Sequence, residues 1–355
     1  MENRIEWIDT AKVITMILVI VGHCTYYNIS TKYGGIHYFC SDCESSFAYS
    51  LTCHITSFIY LFHMPFFMFL SGACFGFGRK EETLASIVKK KALRLLLPFF
   101  AVTFLIAVPL KYLAGYWNGS TGIIRDVIYG QILFPNYVHL WFVLSLFWIF
   151  CISFFIKEWV KQPSITVILI LLIVSVGGGK LSNTYDLLAI PHSLWMLVYF
   201  VLGYWYTEKI AAKAKRLSNT SLWLIAVLLF VIPYVLHSPV HSSPILYKLI
   251  YPFVFRALGL LGIYMMIGVS IKLCQRTMKM KCWNYLQRNA YTMYLFSDSF
   301  NYILIPVFFL IFGYGYQTDD MVGILCYILR ITLTMLSAMA LIFIWNKLKP
   351  YIYKI

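Results

Sequence analysis

Charged side chains are scarce in this chain of 355 residues, and acidic ones are the scarcest. Only 12% of the residues are charged and 61% are apolar, whereas an ordinary soluble domain has about 25% and about 45–50%. This scarcity excludes a soluble globule, and it excludes a disordered chain, which would be rich in charge and poor in aromatic residues. The sequence also lacks an internal repeat, a low-complexity run and a polar linker. We therefore expect one domain over residues 1–355, and the missing repeat argues against a transporter built from related halves.

The sequence contains long apolar runs with few charged residues. Ten segments are close to the roughly 17–25 residues that a helix needs to cross a bilayer, and the short fifth and sixth could instead be partly interfacial. They lie near residues 9–29, 54–77, 94–115, 138–156, 163–178, 190–206, 220–236, 246–271, 289–312 and 322–346. The sequence therefore predicts an all-α, polytopic membrane bundle of about ten transmembrane helices.

Basic residues outnumber acidic ones by 29 to 14, which gives a net charge of +15. In a soluble protein this surplus would suggest nucleic acid, but cytosolic loops of membrane proteins collect Lys and Arg, so we expect no nucleic-acid partner. If the N-terminus is cytosolic, strict alternation of ten spans places most basic residues on the cytosolic side. We predict cytosolic N- and C-termini in a multi-pass protein of the plasma (inner) membrane, with membrane lipid as a partner.

The first span carries ionisable residues, which are costly inside a membrane and usually have a function or a partner. They are Asp9, Lys12 and His23. The eleven residues from Lys12 to His23 close three helical turns with about 20° left over, so both side chains share one face about 16 Å apart. The alternative interpretation of His23 is a packing histidine with a satisfied hydrogen bond.

The second span contains FHMPFFMFLSG, residues 62–72. Counted from its outer end, His63 reaches a depth similar to that of His23. Pro65 interrupts the helical hydrogen bonds, and the pair Ser71-Gly72 permits a close approach of another helix. Taken alone, the segment also fits a helix kinked at proline that serves packing only.

The loop after the second span ends in KKKALRLLLP, residues 89–98. Lys91 and Arg94 are three residues apart and therefore neighbours on a helix. Basic side chains at the cytosolic membrane surface suit phosphate groups. The alternative is that they serve topology or contact anionic lipid headgroups.

Three further ionisable residues fall inside later spans: Arg256 in the eighth, Asp298 in the ninth and Arg330 in the tenth. Either arginine is a candidate partner for Asp298, as a structural ion pair or as part of a substrate site.

The first outer loop holds Cys40, Cys43 and Cys53, with His37 and His54 beside them. An outward-facing loop permits a disulfide, and we predict one between Cys40 and either Cys43 or Cys53. A zinc site of three cysteines and one histidine is the alternative; we expect no metal.

Taken in order, these segments resemble the acyltransferase 3 family of integral membrane O-acyltransferases. The stretch RIEWIDTAKVITMILVIVGH resembles the family's opening, in which a basic residue, ten spacers and a histidine are here Lys12 and His23. FHMPFFMFLSG resembles the branch of fucose 4-O-acetylase-like proteins, and KKKALRLLLPF matches the family's basic turn at Lys91 and Arg94. HLWFVLSLF, LVYFVLGYW and LQRNAYTMYLF resemble later helices of the family.

One position departs from the family pattern. Many members have Tyr-Leu-Leu-His in the ninth span, where this chain has Ser297 in place of the histidine and Asp298 directly after it. This chain therefore lacks that histidine, and Asp298 is the candidate substitute.

The resemblance implies transfer of an acyl group, commonly acetyl, from cytosolic acyl-CoA to a hydroxyl of a cell-surface glycan or glycan precursor. Lys12, Lys91 and Arg94 are the candidates for binding the CoA phosphates. His23 is the candidate general base, and His63 would orient it, hold the acceptor or stabilise the oxyanion. A glycan or small-solute transporter or flippase, and a non-catalytic sensor, are the competing functions. The sequence leaves the acceptor and the oligomeric state open.

Overall fold

A computed structural model describes residues 6–38, 46–75, 83–135, 138–237, 244–277 and 280–352. Helices dominate this part of the chain, with one short β-hairpin between the first two. The helices are α1 Glu6–His23, α2 Phe47–Tyr60, α3 His63–Ala73, α4 Leu84–Lys91, α5 Leu97–Val102, α6 Val108–Leu113, α7 Ile123–Ile128, α8 Trp141–Ile156, α9 Ile165–Thr184, α10 Ile190–Ala214, α11 Asn219–His237, α12 Pro244–Thr277, α13 Lys281–Phe312, α14 Gly315–Thr318 and α15 Asp320–Ile352. Three π-helical segments, Ala92–Leu96, Thr103–Ala107 and Tyr129–Leu133, and a 3₁₀ turn, Leu187–Ala189, connect some of them.

Seven helical stretches within the described residues are long and apolar enough to cross a membrane. They are Phe47–Ala73, Leu84–Leu113, Ile165–Thr184, Leu187–Ala214, Ile250–Thr277, Lys281–Phe312 and Asp320–Lys347. The lipid core offers no water to backbone N–H and C=O groups, so apolar runs of this length must satisfy them internally as helices. The predicted all-α membrane architecture is confirmed at this level.

The other three predicted spans coincide with α1, α8 and α11. α1 is 18 residues long and begins with the charged residues Glu6, Asp9 and Lys12. α8 has 16 residues, or about 24 Å at 1.5 Å per residue, against a hydrocarbon core of about 30 Å. All ten apolar segments are therefore helical, while the count of ten crossings and the cytosolic termini stay predictions.

The fold divides into two compact units, each assembled from separate stretches of the chain. Unit 1 contains Met1–Thr15, Ser57–Leu97 and Leu133–Gln287; unit 2 contains Met16–Thr56, Pro98–Ile132 and Arg288–Ile355. In unit 1, α10 packs against α3, α8, α9 and α12. The interior of unit 1 contains aromatic residues that are each at most 1% exposed, namely Phe66, Phe69, Tyr199 and Phe200.

Glycines let α3 and α10 cross closely. A Cβ atom at Gly72 would overlap the backbone carbonyl of Phe200, and one at Gly203 would overlap that of Phe69. The two positions are reciprocal, so each helix presents a glycine to the other's backbone. The close approach predicted for Ser71-Gly72 is confirmed.

Replacing Gly72 by alanine is expected to lower the free energy of unfolding by about 1–3 kcal/mol, the usual cost of overpacking a tight core. Gly177 in α9 is the matched control, because a Cβ there would meet no atom of the described residues within 4 Å. Thermal unfolding of the purified protein in detergent compares the two variants. Equal melting temperatures for Gly72→Ala and Gly177→Ala would contradict the close crossing.

The helix of the second predicted span breaks before Pro65. α2 ends at Tyr60 and α3 begins at His63, so Pro65 lies in the first turn of α3. Proline is tolerated there because the first N–H groups of a helix have no internal partner. The predicted interruption is thus found at Leu61 and Phe62, ahead of the proline itself.

Unit 2 contains the hairpin, formed by β1 (Ile29–Thr31) and β2 (Gly34–Ile36), which pair antiparallel with Ile29 opposite Ile36. The backbone N–H of Gly35 donates to the carbonyl of Tyr116 over 2.7 Å. Gly34 has φ +136°, and a Cβ there would overlap the Tyr116 ring. The surrounding buried cluster consists of Ile36, Ala114, Tyr116, Trp117, Val127, Tyr302 and Ile305. The hairpin is a small departure from an all-α chain.

Cys40 and Cys43 lie outside the described residues, so the disulfide stays a prediction.

Candidate functional site

His23 and Asp298 form a hydrogen-bonded pair in unit 2. His23 is the last residue of α1, and its Nδ1 lies 3.0 Å from Oδ1 of Asp298 on α13. The carboxylate is buried, with 4% of the side chain exposed, whereas 19% of the imidazole is exposed. The sequence singled out both residues but did not pair them, because 275 positions separate them.

This geometry determines which nitrogen of His23 can accept a proton. A neutral imidazole facing a carboxylate with Nδ1 donates its N–H there, which leaves the lone pair on Nε2. A carboxylate in this position also stabilises the imidazolium that forms when Nε2 takes a proton. The pair therefore has the arrangement of an oriented general base.

Asn301 and Arg330 hold the end of α1 in place. Nδ2 of Asn301 donates to the backbone carbonyl of His23 over 2.7 Å. Its Oδ1 accepts from Nε and Nη2 of Arg330 over 3.1 Å and 2.7 Å, and Nη1 of Arg330 donates to the carbonyl of Tyr26 over 2.5 Å. Asp298 and Asn301 are three residues apart on α13, so they lie on one helix face. Two polar residues at this spacing in an apolar helix are the sequence signal from which the network could have been found.

Lys111 is a second charged residue inside unit 2, and it is fully buried, with 0% exposed. Its Nζ donates to Oε1 of Gln131 over 2.8 Å. It also lies 4.4 Å from the ring centroid of Tyr302 and 4.9 Å from that of Tyr116. Gln131, which is 2% exposed, belongs to the π-helical segment Tyr129–Leu133. The sequence alone places Lys111 at the outer end of a helix. Its burial could not be predicted, because one of its contacts is Tyr302, which is far away along the chain.

Ser297, at the position where many family members have histidine, makes a contact within its own helix. Its Oγ is buried and donates to the carbonyl of Tyr294 in the same helix over 3.3 Å. The neighbouring Asp298 instead meets His23. At this point of α13 the contact with His23 is therefore made by Asp298, the residue directly after the position that differs from the family pattern.

His63 is buried in unit 1, with 4% exposed. Its Nδ1 lies 2.9 Å from the carbonyl of Ile59, and because a carbonyl oxygen only accepts, Nδ1 carries a proton. The ring of Tyr60 packs against it at 4.8 Å between centroids. His63 is therefore a buried imidazole oriented by the carbonyl of Ile59, and its role in a reaction stays a prediction.

The basic candidates Lys12, Lys91 and Arg94 all belong to unit 1. Nζ of Lys12 lies 3.2 Å from Oδ1 of Asp9. Nζ of Lys91 lies over the ring of Phe150, 3.4 Å from its centroid, and 5.6 Å from that of Phe75. Arg94 is exposed and lies in the π-helical segment Ala92–Leu96, a rare conformation that is frequent at functional sites.

A cavity of about 410 Å³ lies between the end of α3 and the second half of α10 in unit 1. Phe75, Tyr204, Trp205 and Lys209 are among its lining residues. Because Phe75 also contacts Lys91, this lysine lies beside the cavity. Its volume is in the range of small-molecule sites.

Among the described residues, the contacts of the two candidate arginines go to groups other than Asp298. Arg256 bonds within unit 1: its Nε and Nη2 donate to Oγ and the carbonyl of Ser175 over 3.0 Å and 2.6 Å, and Nη1 donates to the carbonyl of Pro252 over 2.7 Å. Arg330 takes Asn301 and a backbone carbonyl. Both guanidinium groups are hydrogen-bonded to neutral oxygens, and the carboxylate of Asp298 contacts His23 instead.

Unit 1 contains another buried histidine–aspartate pair that the sequence did not reveal. Nδ1 of His192 lies 2.8 Å from Oδ2 of Asp186, and the backbone N–H of His192 donates to Oδ1 over 3.3 Å. His192 is in the first turn of α10, where a carboxylate is favoured by the helix dipole. Asp186 therefore accepts from the first turn of α10 through Oδ1, while its Oδ2 lies beside the ring without hydrogen-bond geometry.

These features define a polytopic helical membrane protein with buried polar networks. The chain belongs to the acyltransferase 3 family, since the model of that family, described as an acyltransferase domain, matches residues 5–349. No curated protein and no solved structure matches the chain. The protein is a membrane acyltransferase.

Proposed function

We propose that this acyltransferase moves an acyl group, in the first place acetyl, from cytosolic acyl-CoA to a hydroxyl of a cell-surface glycan or glycan precursor. The observation that carries the proposal is the His23–Asp298 pair, 3.0 Å between Nδ1 and Oδ1. A membrane acyltransferase that acts on a hydroxyl needs a base for the hydroxyl proton, and a histidine oriented by a carboxylate is such a base.

The chemistry proceeds by direct transfer. The acceptor oxygen attacks the thioester carbonyl while Nε2 of His23 takes its proton, and Asp298 stabilises the resulting imidazolium. The tetrahedral intermediate then expels CoA, and the imidazolium returns the proton to the leaving thiolate. A histidine or Ser71 would be the nucleophile of an acyl-enzyme, but the hydroxyl of Ser71 donates to the carbonyl of Phe67 over 2.9 Å rather than to a histidine, which favours direct transfer.

The donor binds through its phosphates to Lys12, Lys91 and Arg94, and its nucleotide end uses the cavity beside Phe75. The exposed Arg94 suits bidentate phosphate contacts, and the aromatic lining of the cavity suits a nucleobase. The surplus of basic residues, 29 against 14 acidic, supports cytosolic termini and a plasma-membrane location. His63 holds the acceptor or stabilises the oxyanion.

The double variant Lys91→Gln with Arg94→Gln is expected to raise the KM for acyl-CoA about tenfold or more, because charge-assisted phosphate contacts contribute about 1.5–3 kcal/mol each. The kcat should change little, since neither residue touches the reacting atoms. Initial rates at several acyl-CoA concentrations measure both constants. Lys89→Gln is the matched control, because Lys89 is exposed in the same last turn of α4. Equal effects at both sites would favour a contact with anionic lipid instead.

The competing function is transport or flipping of a glycan or small solute, for which a buried polar network would also be needed. Purified protein in lipid vesicles, given acetyl-CoA and glycan extracted from the producing cells, separates the two. Release of free CoA thiol with an acetyl mass increment on the glycan supports the transferase. Intact thioester together with accumulation of the glycan inside the vesicles would establish the transporter. The same mass comparison tests the fucose 4-O-acetylase-like branch, because it names the acylated sugar.

A further inference from the structure

The last turn of α1, which ends at His23, is held by side chains of α13 and α15 in unit 2. The last four carbonyl groups of a helix have no partner within that helix. Here each of the four accepts a hydrogen bond: Ile20 from the Cys24 N–H, Val21 from the Tyr327 hydroxyl, Gly22 from the Thr25 hydroxyl and His23 from the Asn301 amide. The donors Tyr327 and Asn301 lie 306 and 278 positions from their acceptors. The end of α1 therefore depends on distant helices.

Arg330 on α15 binds the chain just after this turn. Its Nη1 donates to the carbonyl of Tyr26 over 2.5 Å, and its Nε and Nη2 donate to Oδ1 of Asn301 over 3.1 Å and 2.7 Å. The amide of Asn301 in turn donates to the carbonyl of His23 over 2.7 Å, so the guanidinium group orients the amide that holds His23. Because Arg330 is only 1% exposed, it acts through Asn301 and the backbone.

The sequence of α15 explains why Arg330 faces the interior. Five residues of this helix are each at most 1% exposed and follow one another at intervals of four, namely Cys326, Arg330, Thr334, Ala338 and Ile342. Residues four apart lie on one side of a helix. Leu329 and Leu333, each directly before a member of this row, are exposed. The pattern that turns the leucines outward therefore directs Arg330 inward.

The fixed charge of Arg330 suits this position. A helix has a partial negative charge at its C-terminal end, where basic side chains are stabilising, and a guanidinium group keeps its charge at every relevant pH. Asp298, three residues before Asn301 on the same face of α13, contacts the ring of His23. His23 is therefore held at two points from one helix face: its ring by a carboxylate, and its backbone by the amide that Arg330 orients.

We propose that Arg330 is a positioning residue for acyl transfer: together with Asn301 and Tyr327 it fixes the last turn of α1, so that the imidazole of His23 meets the acceptor hydroxyl in a reactive geometry. This inference rests on the proposed function, and it concerns where the imidazole lies. Reaction rates are sensitive to such placement, since a displacement of about 1 Å can lower a rate about a hundredfold.

The kcat of Arg330→Lys, measured where the rate no longer changes with pH, tests the proposal. Lysine keeps the charge but lacks the fork of N–H groups that binds Asn301 and the Tyr26 carbonyl together. We expect kcat to fall about 10- to 100-fold, while the KM for acyl-CoA stays unchanged. Arg125→Lys, at an exposed arginine of unit 2, should keep the wild-type kcat. A wild-type kcat in Arg330→Lys as well would overturn the proposal.

Combination with His23→Gln separates positioning from a general structural defect. Residues that act as one unit lose activity non-additively. If Arg330 acts through the imidazole, Arg330→Lys should leave the residual rate of His23→Gln nearly unchanged. A structural role predicts the same factor of loss with and without His23, and this result would also overturn the proposal.

Tyr327→Phe is a milder variant that keeps the test decisive even if Arg330→Lys accumulates poorly. It removes the hydroxyl that donates to the carbonyl of Val21 over 3.1 Å and retains the ring. We expect kcat to fall about two- to tenfold, the equivalent of one hydrogen bond, and only when His23 is present. Tyr314→Phe, at an exposed tyrosine of unit 2, should keep the wild-type kcat. Equal kcat values for the two tyrosine variants would contradict the proposal.

Different results would refute the proposed function and the positioning role. An inactive wild-type protein, with no thioester cleavage for any acceptor offered, would refute the proposed function. An active wild type whose kcat is unchanged in Arg330→Lys and in Tyr327→Phe would refute the positioning role alone.

Discussion

His23→Gln is expected to lower the rate of acyl transfer by about 10²–10⁴-fold, the usual contribution of a general base. Glutamine keeps an N–H that can face Asp298, so the buried carboxylate retains a donor and the fold should be preserved. Release of CoA thiol by the purified protein in vesicles measures the rate. Binding of acyl-CoA should be unchanged, because the base acts only on the proton of the acceptor.

His54→Gln is the matched control for this experiment. His54 is partly exposed on α2 in the same unit, and its Nδ1 contacts the carbonyl of Ser50 in its own helix over 2.6 Å. Its replacement should leave the rate at the wild-type level. If His23→Gln also transferred acyl groups at the wild-type rate, another residue would be the base and the proposed mechanism would be wrong.

Asp298→Asn is expected to reduce kcat by up to about 10⁴-fold, the loss known for the equivalent change in a serine-protease triad. The amide can turn its NH₂ toward Nδ1 of His23. The ring proton then lies on Nε2, the nitrogen whose lone pair must accept the proton of the acceptor hydroxyl. It also removes the negative charge that stabilises the imidazolium. The kcat from initial rates, at saturating acyl-CoA and acceptor, is the quantity to compare.

Asp319→Asn serves as the control, since Asp319 is exposed and its side chain caps α15 by accepting from the N–H of Val322. Asparagine keeps that cap. Residues that act as one catalytic unit lose activity non-additively. The double variant His23→Gln with Asp298→Asn should therefore be about as slow as the worse single variant. Multiplication of the two losses would show that the residues work independently.

The helical architecture was predictable because the signal is local. Each of the ten apolar runs is mainly helical over its described residues, and within these residues seven helical stretches are long and apolar enough to span. The break before Pro65 and the close contact at Gly72 also follow from properties of the residues themselves. The β-hairpin was not predicted, since two three-residue strands are too short to show a periodic pattern.

The candidate site was predictable only in part. The eleven-residue spacing of Lys12 and His23 falls within one uninterrupted helix, α1, so their common face follows from helix geometry. The partner of His23 did not follow, because Asp298 is 275 positions away. Arginines were candidate partners of that carboxylate, as an ion pair or as part of a substrate site. The guanidinium groups instead bind neutral oxygens of Ser175, Pro252, Asn301 and Tyr26.

By itself the sequence determined that this chain is a helical membrane protein with the signature residues of an acyltransferase, because hydropathy and helical spacing are properties of short segments. Only the tertiary structure decided which polar groups meet. It paired His23 with Asp298, and it buried Lys111 between Gln131 and two tyrosine rings. The physical reason is that a buried charge takes whichever partner the packed helix faces bring within reach, and that choice depends on the shapes of distant segments.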